Sequence, residues 1–578
     1  MRSHSTRKIA EWGYDWFAIP AHDVNNCGQF GRLSCDATTR TAAFECVHRY
    51  WSCRSAQVSR SHPSVQPLST MLGHYLMHHY AAEWGALSLI GSEVGENIDS
   101  IQAHFAFNRG AARQFHSPWF IDFSDWNAGR YHGYKMNATT HKYDRGHDGH
   151  SISLRERVAY LTYMAGANKH LVEDPSVFLD NNETTSEGFL PLSPVGQSLQ
   201  RTHAFFAAHP DRGVPYVPVA LMVDVMHGMG LGWWNIRFRN GSRSEFDAVP
   251  GQPVGPFGMS PTLGYTEQDN YTTLFLNTIW PEAMPMNVGG NAHDESKRLV
   301  PSKYAEIWDI LVADSVSTLG YGQPRYDAGL LGAGCPECGG YRALFLLGNI
   351  DFHLTRSALP TSLGEIPLDT ALWRYVHAGG VLVLTAPVLF VPGNNFSQSR
   401  WKGVPTPFGN AEPPRVNVTV LGTQGVDGEW VRRGCGGTAT CTIETYDPAS
   451  FPHTNDTVLS LVATDGSRLP AVTRTRIGTG HVLTLWPPKA SALDRLGALD
   501  WVLDTVAGAV TPFAVTGGEV QVLLNRRRSG WNITLVNNLG VTKTCSVREG
   551  CTPDMVDPSK ASGRHACMCT RGRDTRAK

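Results

Sequence analysis

The clearest hydrophobic pattern in the chain lies between Ala86 and Asp174, where three short apolar runs are each followed by an acidic residue. The runs and their acids are Leu87–Ile90 with Glu93, Trp119–Ile121 with Asp122, and Ala167–Val172 with Glu173. Segments with the helical period of about 3.6 residues separate these runs. Alternating strands and helices are typical of a parallel sheet, and acids at the carboxyl ends of its strands converge on one edge. The pattern therefore predicts a parallel α/β unit, of the kind found in barrel enzymes, with an acidic edge.

A second alternating pattern begins near Gly213. Its expected strands are Val217–Val223 before Asp224, Ala343–Leu347, Val381–Thr385, Val416–Leu421 and Val482–Leu485. Its expected helices are Ser302–Ser315, Ala371–His377 and a closing helix with Leu496, Leu499, Leu503 and Val506 on one stripe. This alternation favours a flavodoxin-like sheet. From about Thr511 the pattern indicates strands only, Glu519–Leu524 and Trp531–Val536, in a small tail that contains four cysteines.

At 578 residues the chain is too long for a single hydrophobic core. We divide it into a (β/α) barrel domain over residues 1–210, a flavodoxin-like domain over 211–510 and a small β-rich tail over 511–578. An aromatic excursion over 227–300 follows the first strand of the second domain. It contains Trp233, Trp234, Tyr265 and Tyr271. We expect the barrel mouth or a neighbouring subunit to cover these aromatic side chains, because a free loop rarely exposes so many, and simple packing between domains is the alternative.

Two stretches carry a resemblance to a known family. YMAGANKHLVED places an apolar strand before Glu173, and VPVALMVDVMHG places the next one before Asp224. In this order the chain resembles the β-galactosidases of glycoside hydrolase family 42, in which a (β/α)8 barrel passes directly into a flavodoxin-like trimerisation domain and a small β domain. The resemblance covers the chain from about Met71 to the C-terminus. It implies that Glu173, Asp122 and Glu93 end the eighth, seventh and sixth barrel strands, and that the barrel is partial because its first strands are largely absent.

Glycoside hydrolysis needs two carboxyl groups on opposite sides of the scissile bond. Glu93 and Glu173 are the preferred catalytic candidates, followed by Asp122. No Asn-Glu pair, which marks the acid/base residue in the resembling family, precedes Glu93. The residues expected to contact the sugar are Glu96, Asn97, His104, Arg109, Trp119, Trp126 and Asp174. Other roles remain open: an ion pair of a carboxylate with Arg109 or Arg113, a helix cap by Asn97, and core packing by Trp119.

No cofactor or metal is expected. Cys335-Pro-Glu-Cys338 looks like half of a zinc site, but no second close pair follows at the usual spacing. His141, His147 and His150 could suggest a metal site, but their spacing matches no tight ligand motif. The alternative is that they lie in a solvated loop. The second domain contains neither a Gly-x-Cys-x-Gly nucleophile motif nor a clear phosphate loop, so we interpret it as structural.

Charge and hydropathy exclude several classes of partner. The formal net charge of -1 gives no electrostatic argument for binding nucleic acid or an anionic membrane. The longest apolar run, near Gly380–Val391, is too short and too interrupted to span a bilayer. With 16 Trp residues available for stacking on sugar rings, carbohydrate is the expected partner. The family resemblance also implies that the chain assembles into a homo-oligomer, in particular a trimer.

Sequons and cysteines indicate a secretory compartment. The Asn-x-Ser/Thr sequons begin at Asn137, Asn182, Asn240, Asn270, Asn395, Asn417, Asn455 and Asn532. The 12 cysteines are even in number, and Cys435 with Cys441 is one of several close pairs. Disulfides fit this pattern better than metal binding. No apolar signal core follows Met1, so we expect the true N-terminus to be missing.

These observations predict a glycoside hydrolase that acts on a β-linked oligo- or polysaccharide. The alternative is a catalytically inactive carbohydrate-binding or scaffold protein that descends from such an enzyme and kept its fold.

Overall fold

The fold is seen in a computed structural model of the chain. The structure describes residues 68–72, 89–95, 101–114, 117–124, 152–172, 178–179, 190–224, 267–281, 299, 302–313, 340–347, 356–358, 365–389, 401, 412–447, 456–516, 521–536 and 546–549. The helices are α1 (Ile101–Gln114), α2 (Ile152–Met164), α3 (Pro194–Ala208), α4 (Glu267–Ile279), α5 (Leu368–His377), α6 (Ala386–Leu389), α7 (Ala490–Leu496) and α8 (Ala498–Val510).

The strands complete a mixed α/β fold with large sheets. Those in the first half of the described chain are β1 (Leu68–Leu72), β2 (Leu89–Gly95), β3 (Trp119–Ser124), β4 (Lys169–Val172), β5 (Val214–Pro215), β6 (Val219–Asp224), β7 (Trp308–Ala313), β8 (Ala343–Leu346), β9 (Arg356–Ala358), β10 (Glu365–Pro367) and β11 (Val381–Thr385). The others are β12 (Arg415–Gly425), β13 (Trp430–Arg433), β14 (Cys441–Tyr446), β15 (Asp456–Ala463), β16 (Arg468–Ile477), β17 (Gly480–Leu485), β18 (Phe513–Thr516), β19 (Gln521–Arg527), β20 (Gly530–Val536) and β21 (Ser546–Glu549).

The first sheet contains four parallel strands in the order β1-β2-β3-β4. Helix α1 lies between β2 and β3 in the chain, and α2 lies between β3 and β4, as the acid-ended runs predict. Trp119, Ile121 and Phe123 of β3 pack with apolar residues of α1 and α2 in one core. Phe120 packs instead against Leu171 of β4. Because side chains alternate along a strand, one face of this sheet meets α1 and α2, and Phe120 lies on the other face.

The second sheet contains ten strands in the order β13-β12-β15-β16-β17-β11-β8-β6-β7, with β14 also paired to β12. Its parallel part is β7-β6-β8-β11-β17. Numbered along the chain, these strands run 2-1-3-4-5 across the sheet, an order found in doubly wound α/β sheets. Beyond β17 the sheet continues through antiparallel strands.

The prediction of a helix over Ser302–Ser315 is wrong. Trp308–Ala313 forms β7, which is parallel to β6 and pairs with it along its whole length. A short continuous apolar run is compatible with either a buried strand or a buried helix, so the pattern alone cannot distinguish them. Here the pairing with β6 favours the strand.

The aromatic excursion is only partly described. Tyr271, expected on an aromatic surface, lies in α4 with its ring fully buried. Its hydroxyl donates a hydrogen bond to the carbonyl oxygen of Pro487. Tyr271 therefore belongs to the core of the second sheet, while Trp233, Trp234 and Tyr265 lie outside the described residues.

Helix α1 packs against both sheets and is almost completely buried. A Cβ atom at Gly110 would lie 1.9 Å from the carbonyl oxygen of Ile310 in β7, so this close approach requires glycine. The Gln114 side chain donates to the Val312 carbonyl at 2.9 Å and accepts from the Val312 amide at 3.1 Å, as a neighbouring strand would. Because β7 is an edge strand, α1 covers an edge that could otherwise pair with another chain.

The later part of the chain contains a local disulfide, and a small sheet and a buried amide attach it to earlier elements. Cys435 and Cys441 form a disulfide between β13 and β14, which is one of the close cysteine pairs in the sequence. Strands β20, β19 and β5 form a three-stranded sheet. Its buried Asn525 donates to the carbonyl oxygen of Met164 at the end of α2, at 2.8 Å. Within the described residues, no helix combines the length and apolar character needed to cross a bilayer.

Candidate active site

Glu93 and Asp122 occupy neighbouring positions inside β2 and β3, each two residues before its strand ends and not at the strand end as predicted. Strands β2 and β3 are parallel, and Glu93 is paired in register with Asp122. Asp122 is also paired with Leu171 of β4, and Glu93 with Leu72 of β1. Only 6% of Asp122 is exposed. Two of the acids expected at strand ends are therefore brought together by the fold.

The packing of its neighbours shows which face of the sheet carries Asp122. Ile121 and Phe123 pack towards the helices, so Asp122 and Phe120 lie on the opposite face. On β2, a Cβ atom at Gly91 would lie 2.2 Å from the ring of Phe120, which occupies the space that a side chain would need. Phe120 is thus a buried apolar side chain on the same face of the sheet as Asp122, two residues before it.

Helix α1 fixes β2 on the other face of the sheet. The Ser92 hydroxyl donates to the Asn108 side-chain oxygen of α1 at 3.0 Å, and both residues are buried. Ser92 directly precedes Glu93, so this hydrogen bond restrains the strand at the position next to the candidate acid.

His104 and Trp119, two expected sugar contacts, lie on the helix side of the sheet. His104 is fully buried in α1, and burial lowers the pKa of its imidazole to about 3, which keeps the ring neutral at ordinary pH. Trp119 is 4% exposed and meets Phe105 edge-on at 5.7 Å between ring centroids. These contacts support the core-packing alternative for Trp119, and sugar binding by either residue stays a prediction.

Arg109, another expected sugar contact, joins α1 to the second sheet. Its Nε donates to Asp309 Oδ1 at 2.6 Å, and its guanidinium also donates to the Trp308 carbonyl at 2.8 Å. Arg113 lies 3.0 Å from the other oxygen of Asp309, and the Tyr341 hydroxyl donates to that oxygen at 2.8 Å. Asp309 is completely buried. The contacts support a structural role for Arg109, and its binding of substrate stays a prediction.

A second buried acid, Glu306, lies near the ion pair of Asp309 with Arg109. The sequence pattern identifies neither Glu306 nor Asp309 as a candidate residue. Glu306 accepts a hydrogen bond from Gln521 of β19 at 2.6 Å, and Gln521 accepts one from Gln102 of α1 at 3.3 Å. Burial raises the pKa of Glu306 to about 7, against the lowering effect of Arg109. An acid inside or beside an apolar run, as in AEIWDILVA, is the sequence signal for such a buried, partnered carboxylate.

A small cleft opens on the helix side of β3 and β4, between these strands and helices α2 and α3. The Arg155 guanidinium lies over the Phe123 ring, 5.4 Å from its centroid. Burial lowers the pKa of His170 in this cleft to about 4, and the positive charges of His203 and Arg155 act in the same direction. The cleft lies on the face opposite Asp122, so it is separate from the candidate active site.

Among the described residues no group of three or more metal-binding side chains occurs.

The remaining expected site residues lie outside the described residues. They are Glu96, Asn97, Trp126, Glu173 and Asp174. Strand β4 ends at Val172, directly before Glu173. The roles of these five residues stay predictions.

No family model and no curated protein matches this chain. Among solved structures it resembles the β-galactosidase from Bacillus circulans sp. alkalophilus, with a TM-score of 0.43 and 11% identity, covering 91% of this chain and 68% of that one. The GH42 β-galactosidase Gan42B from G. stearothermophilus, solved as a catalytic mutant, gives a TM-score of 0.42 and 10% identity, covering 88% and 66%. The exo-β-1,4-mannosidase Op5Man5 from Opitutaceae bacterium strain TAV5 gives 0.34 and 12%, covering 82% and 68%.

The solved structures to which the chain is similar are thus two β-galactosidases, one of them from family 42, and a mannosidase. The chain spans 66% to 68% of the length of these proteins.

Proposed function

We propose that this chain is a glycoside hydrolase that cleaves a β-linked oligo- or polysaccharide with a pair of carboxyl groups. The observation that supports the proposal is the in-register pairing of Glu93 with Asp122 on adjacent parallel strands. Neighbouring strands lie about 4.8 Å apart, and residues paired in register share one face of a sheet. Retaining glycosidases hold their two carboxyl groups about 5–5.5 Å apart, and we assign a retaining mechanism to this pair as part of the proposal.

In a retaining mechanism one carboxylate attacks the anomeric carbon while the other carboxyl group protonates the leaving oxygen. The second group then takes a proton from the water molecule that releases the sugar. Asp122 and Glu93 are the proposed pair, with Glu173 after β4 as the third candidate. Leu171, which is only partly buried and packs against Phe120, lies on the face that carries Asp122 and gives a sugar ring an apolar side chain to pack against.

The proposal includes the architecture around the site. The first sheet is assigned to a partial (β/α)8-type barrel over 1–210, and the second to a flavodoxin-like domain over 211–510, with a small β domain over 511–578. The 2-1-3-4-5 order of the parallel strands supports the flavodoxin-like assignment. We assign that domain to assembly of a homo-oligomer, which the mass of the purified protein by light scattering would reveal as a multiple of 63.3 kDa.

Variants of the candidate acids test the proposed function. Asp122→Asn and Glu93→Gln should each lower kcat on an aryl β-glycoside by at least about a hundredfold, because each removes either the nucleophile or the acid/base group. Glu173→Gln, measured beside them, shows whether this third acid is needed. Glu429→Gln, in the exposed turn between β12 and β13, is the matched control and should retain full activity. Far-UV circular dichroism checks that every variant keeps the fold.

Two results would contradict the proposal. Full activity of both Asp122→Asn and Glu93→Gln would show that the pair is not catalytic. A wild-type protein that binds oligosaccharides in calorimetry but hydrolyses none of a panel of aryl β-glycosides would instead support the non-catalytic carbohydrate-binding alternative.

A further inference from the structure

Three of the glycosylation sequons, those at Asn270, Asn417 and Asn532, fall on residues that the structure describes. N-glycosylation replaces one hydrogen of the asparagine side-chain amide with a bulky sugar. The first requirement is therefore that the asparagine lies at the surface of the folded chain. The amide must also be free of hydrogen bonds that the fold needs. These two requirements separate the three sequons.

Asn417 meets both requirements. It lies on β12, where Arg415, Asn417 and Thr419 are exposed while the alternating Val416 and Val418 are half-buried. The Asn417 side chain makes no hydrogen bond to any residue that the structure describes. The hydroxyl of Thr419, the third sequon residue, is also exposed and lies 3.2 Å from a second exposed hydroxyl on β14. A sugar on Asn417 would extend over the solvent face of the β12–β14 pair.

Asn270 does not meet them. It lies in the first turn of α4, where its amide nitrogen donates to Glu267 Oε2 at 3.1 Å. The other oxygen of Glu267 accepts from the Ala490 amide at the start of α7, at 2.7 Å. Thr272, the third residue of this sequon, is fully buried, and its hydroxyl donates to the Gln268 carbonyl at 3.0 Å. A sugar on Asn270 would disturb the contact of α4 with α7.

Asn532 does not meet them either. Its amide nitrogen donates to the carbonyl oxygens of Arg212 at 3.0 Å and Asp211 at 3.4 Å. These two hydrogen bonds hold β20 against the segment that leads into β5. The ion pair of Asp211 with Arg527 on β19, at 2.6 Å, lies at the same place. A sugar on this nitrogen would displace the segment that the amide holds.

We propose that Asn417 is an N-glycan acceptor and that Asn270 and Asn532 are not. In the transfer, the amide nitrogen of Asn417 forms a bond to the anomeric carbon of an oligosaccharide carried on a lipid diphosphate. The bond from that carbon to the diphosphate oxygen breaks, and the diphosphate leaves with the electron pair. The amide nitrogen releases one proton, so the charges balance and no oxidant or reductant is needed. The proposal is independent of the catalytic assignment.

The test is a site-specific measurement of glycan occupancy. The full chain is secreted from a eukaryotic cell line behind a supplied leader peptide, and the soluble protein is treated with peptide N-glycosidase in heavy-oxygen water. This treatment converts each glycosylated asparagine to a labelled aspartate that peptide mass spectrometry locates. We expect the label at Asn417 and none at Asn270 or Asn532. An unlabelled Asn417, or a label at either of the other two sites, would overturn the proposal.

Two variants check that the label arises from this sequon. Asn417→Gln removes the acceptor nitrogen, and Thr419→Ala removes the sequon while leaving Asn417 in place. Each should lose one glycan on a gel, with unchanged occupancy at the sequons outside the described residues. Because the two changes affect different side chains, Thr419→Ala gives the answer if Asn417→Gln fails to fold. A glycan that persists at Asn417 in Thr419→Ala would contradict the assignment.

Discussion

Replacing Glu306 with glutamine should stabilise the protein at neutral and alkaline pH and leave its stability nearly unchanged in mild acid. Glu306 lies where α1, β7 and β19 meet and is 4% exposed. Glutamine has the same shape, and its side-chain oxygen can accept the hydrogen bond that Gln521 donates to Glu306. The substitution therefore removes a buried charge and keeps the shape of the side chain and the hydrogen bond from Gln521, while an amide nitrogen replaces one of the oxygens that Gln521 and Trp280 approach.

The pKa of Glu306 gives the magnitude and the sign of this effect. Burial raises it from the ordinary value of 4.5 to about 7. Between these two values the folded protein keeps a proton that the unfolded chain has released, so rising pH destabilises the folded state across this window. A pKa difference of about 2.5 corresponds to about 3 kcal/mol, since each unit is worth about 1.4 kcal/mol. Above pH 7 the folded protein carries this full cost, below pH 4.5 it carries none, and glutamine carries none at any pH.

Thermal unfolding at a series of pH values between 4.5 and 8 measures the effect. The difference in free energy of unfolding between Glu306→Gln and wild type should be near zero at pH 4.5 and rise to about 3 kcal/mol at pH 8. Comparison at the same pH cancels the titration of all other groups. The exposed control Glu429→Gln should show no such rise. A difference between Glu306→Gln and wild type that stays constant across the pH range would refute the reasoning.

Two further predictions concern the contact of α1 with β7. Asp309→Asn should destabilise the protein by about 3–5 kcal/mol in urea unfolding, because it leaves the buried Arg109 guanidinium without its counter-charge; an unchanged urea midpoint would contradict this. Gly110→Ala should destabilise the protein, because its Cβ would lie 1.9 Å from the Ile310 carbonyl. The matched change Gly508→Ala, with nothing within 4 Å of the added atom in α8, should instead stabilise it by about 0.5–1 kcal/mol. Equal effects at the two glycines would show that helix propensity alone governs them.

The sequence predicts the parts of the fold that depend on local pattern. The strands that contain Glu93 and Asp122 could be predicted, because their apolar runs are short and lie between segments of helical period, so length and context favour strands. Their in-register pairing could not, because register depends on how whole strands are aligned by packing. The segment Trp308–Ala313 shows the limit of the method, since its apolar run suits a helix as well as a strand.

Partners that are distant in sequence are the second limit. The sequence predicts Arg109 near the acids of the first sheet, as a ligand of the sugar or, like Arg113, as the partner of a rim carboxylate. Their carboxylate partner in the structure is Asp309, 200 residues after Arg109. Nothing in the pattern around either arginine indicates this contact, because it arises from the packing of α1 against the edge of a different sheet. The one local signal of this contact in the sequence is an acidic residue inside an apolar strand.

Trapping a glycosyl-enzyme intermediate tests the paired acids of the first sheet most directly. The protein is incubated with 2-deoxy-2-fluoro-β-glycosyl fluorides of several sugars, and its intact mass is measured before the modified peptide is sequenced. The pairing of Glu93 with Asp122 predicts that the mass rises by one fluorosugar and that the ester lies on one of these two acids. An ester on any other residue, or hydrolysis of β-glycosides without any trapped ester, would contradict it.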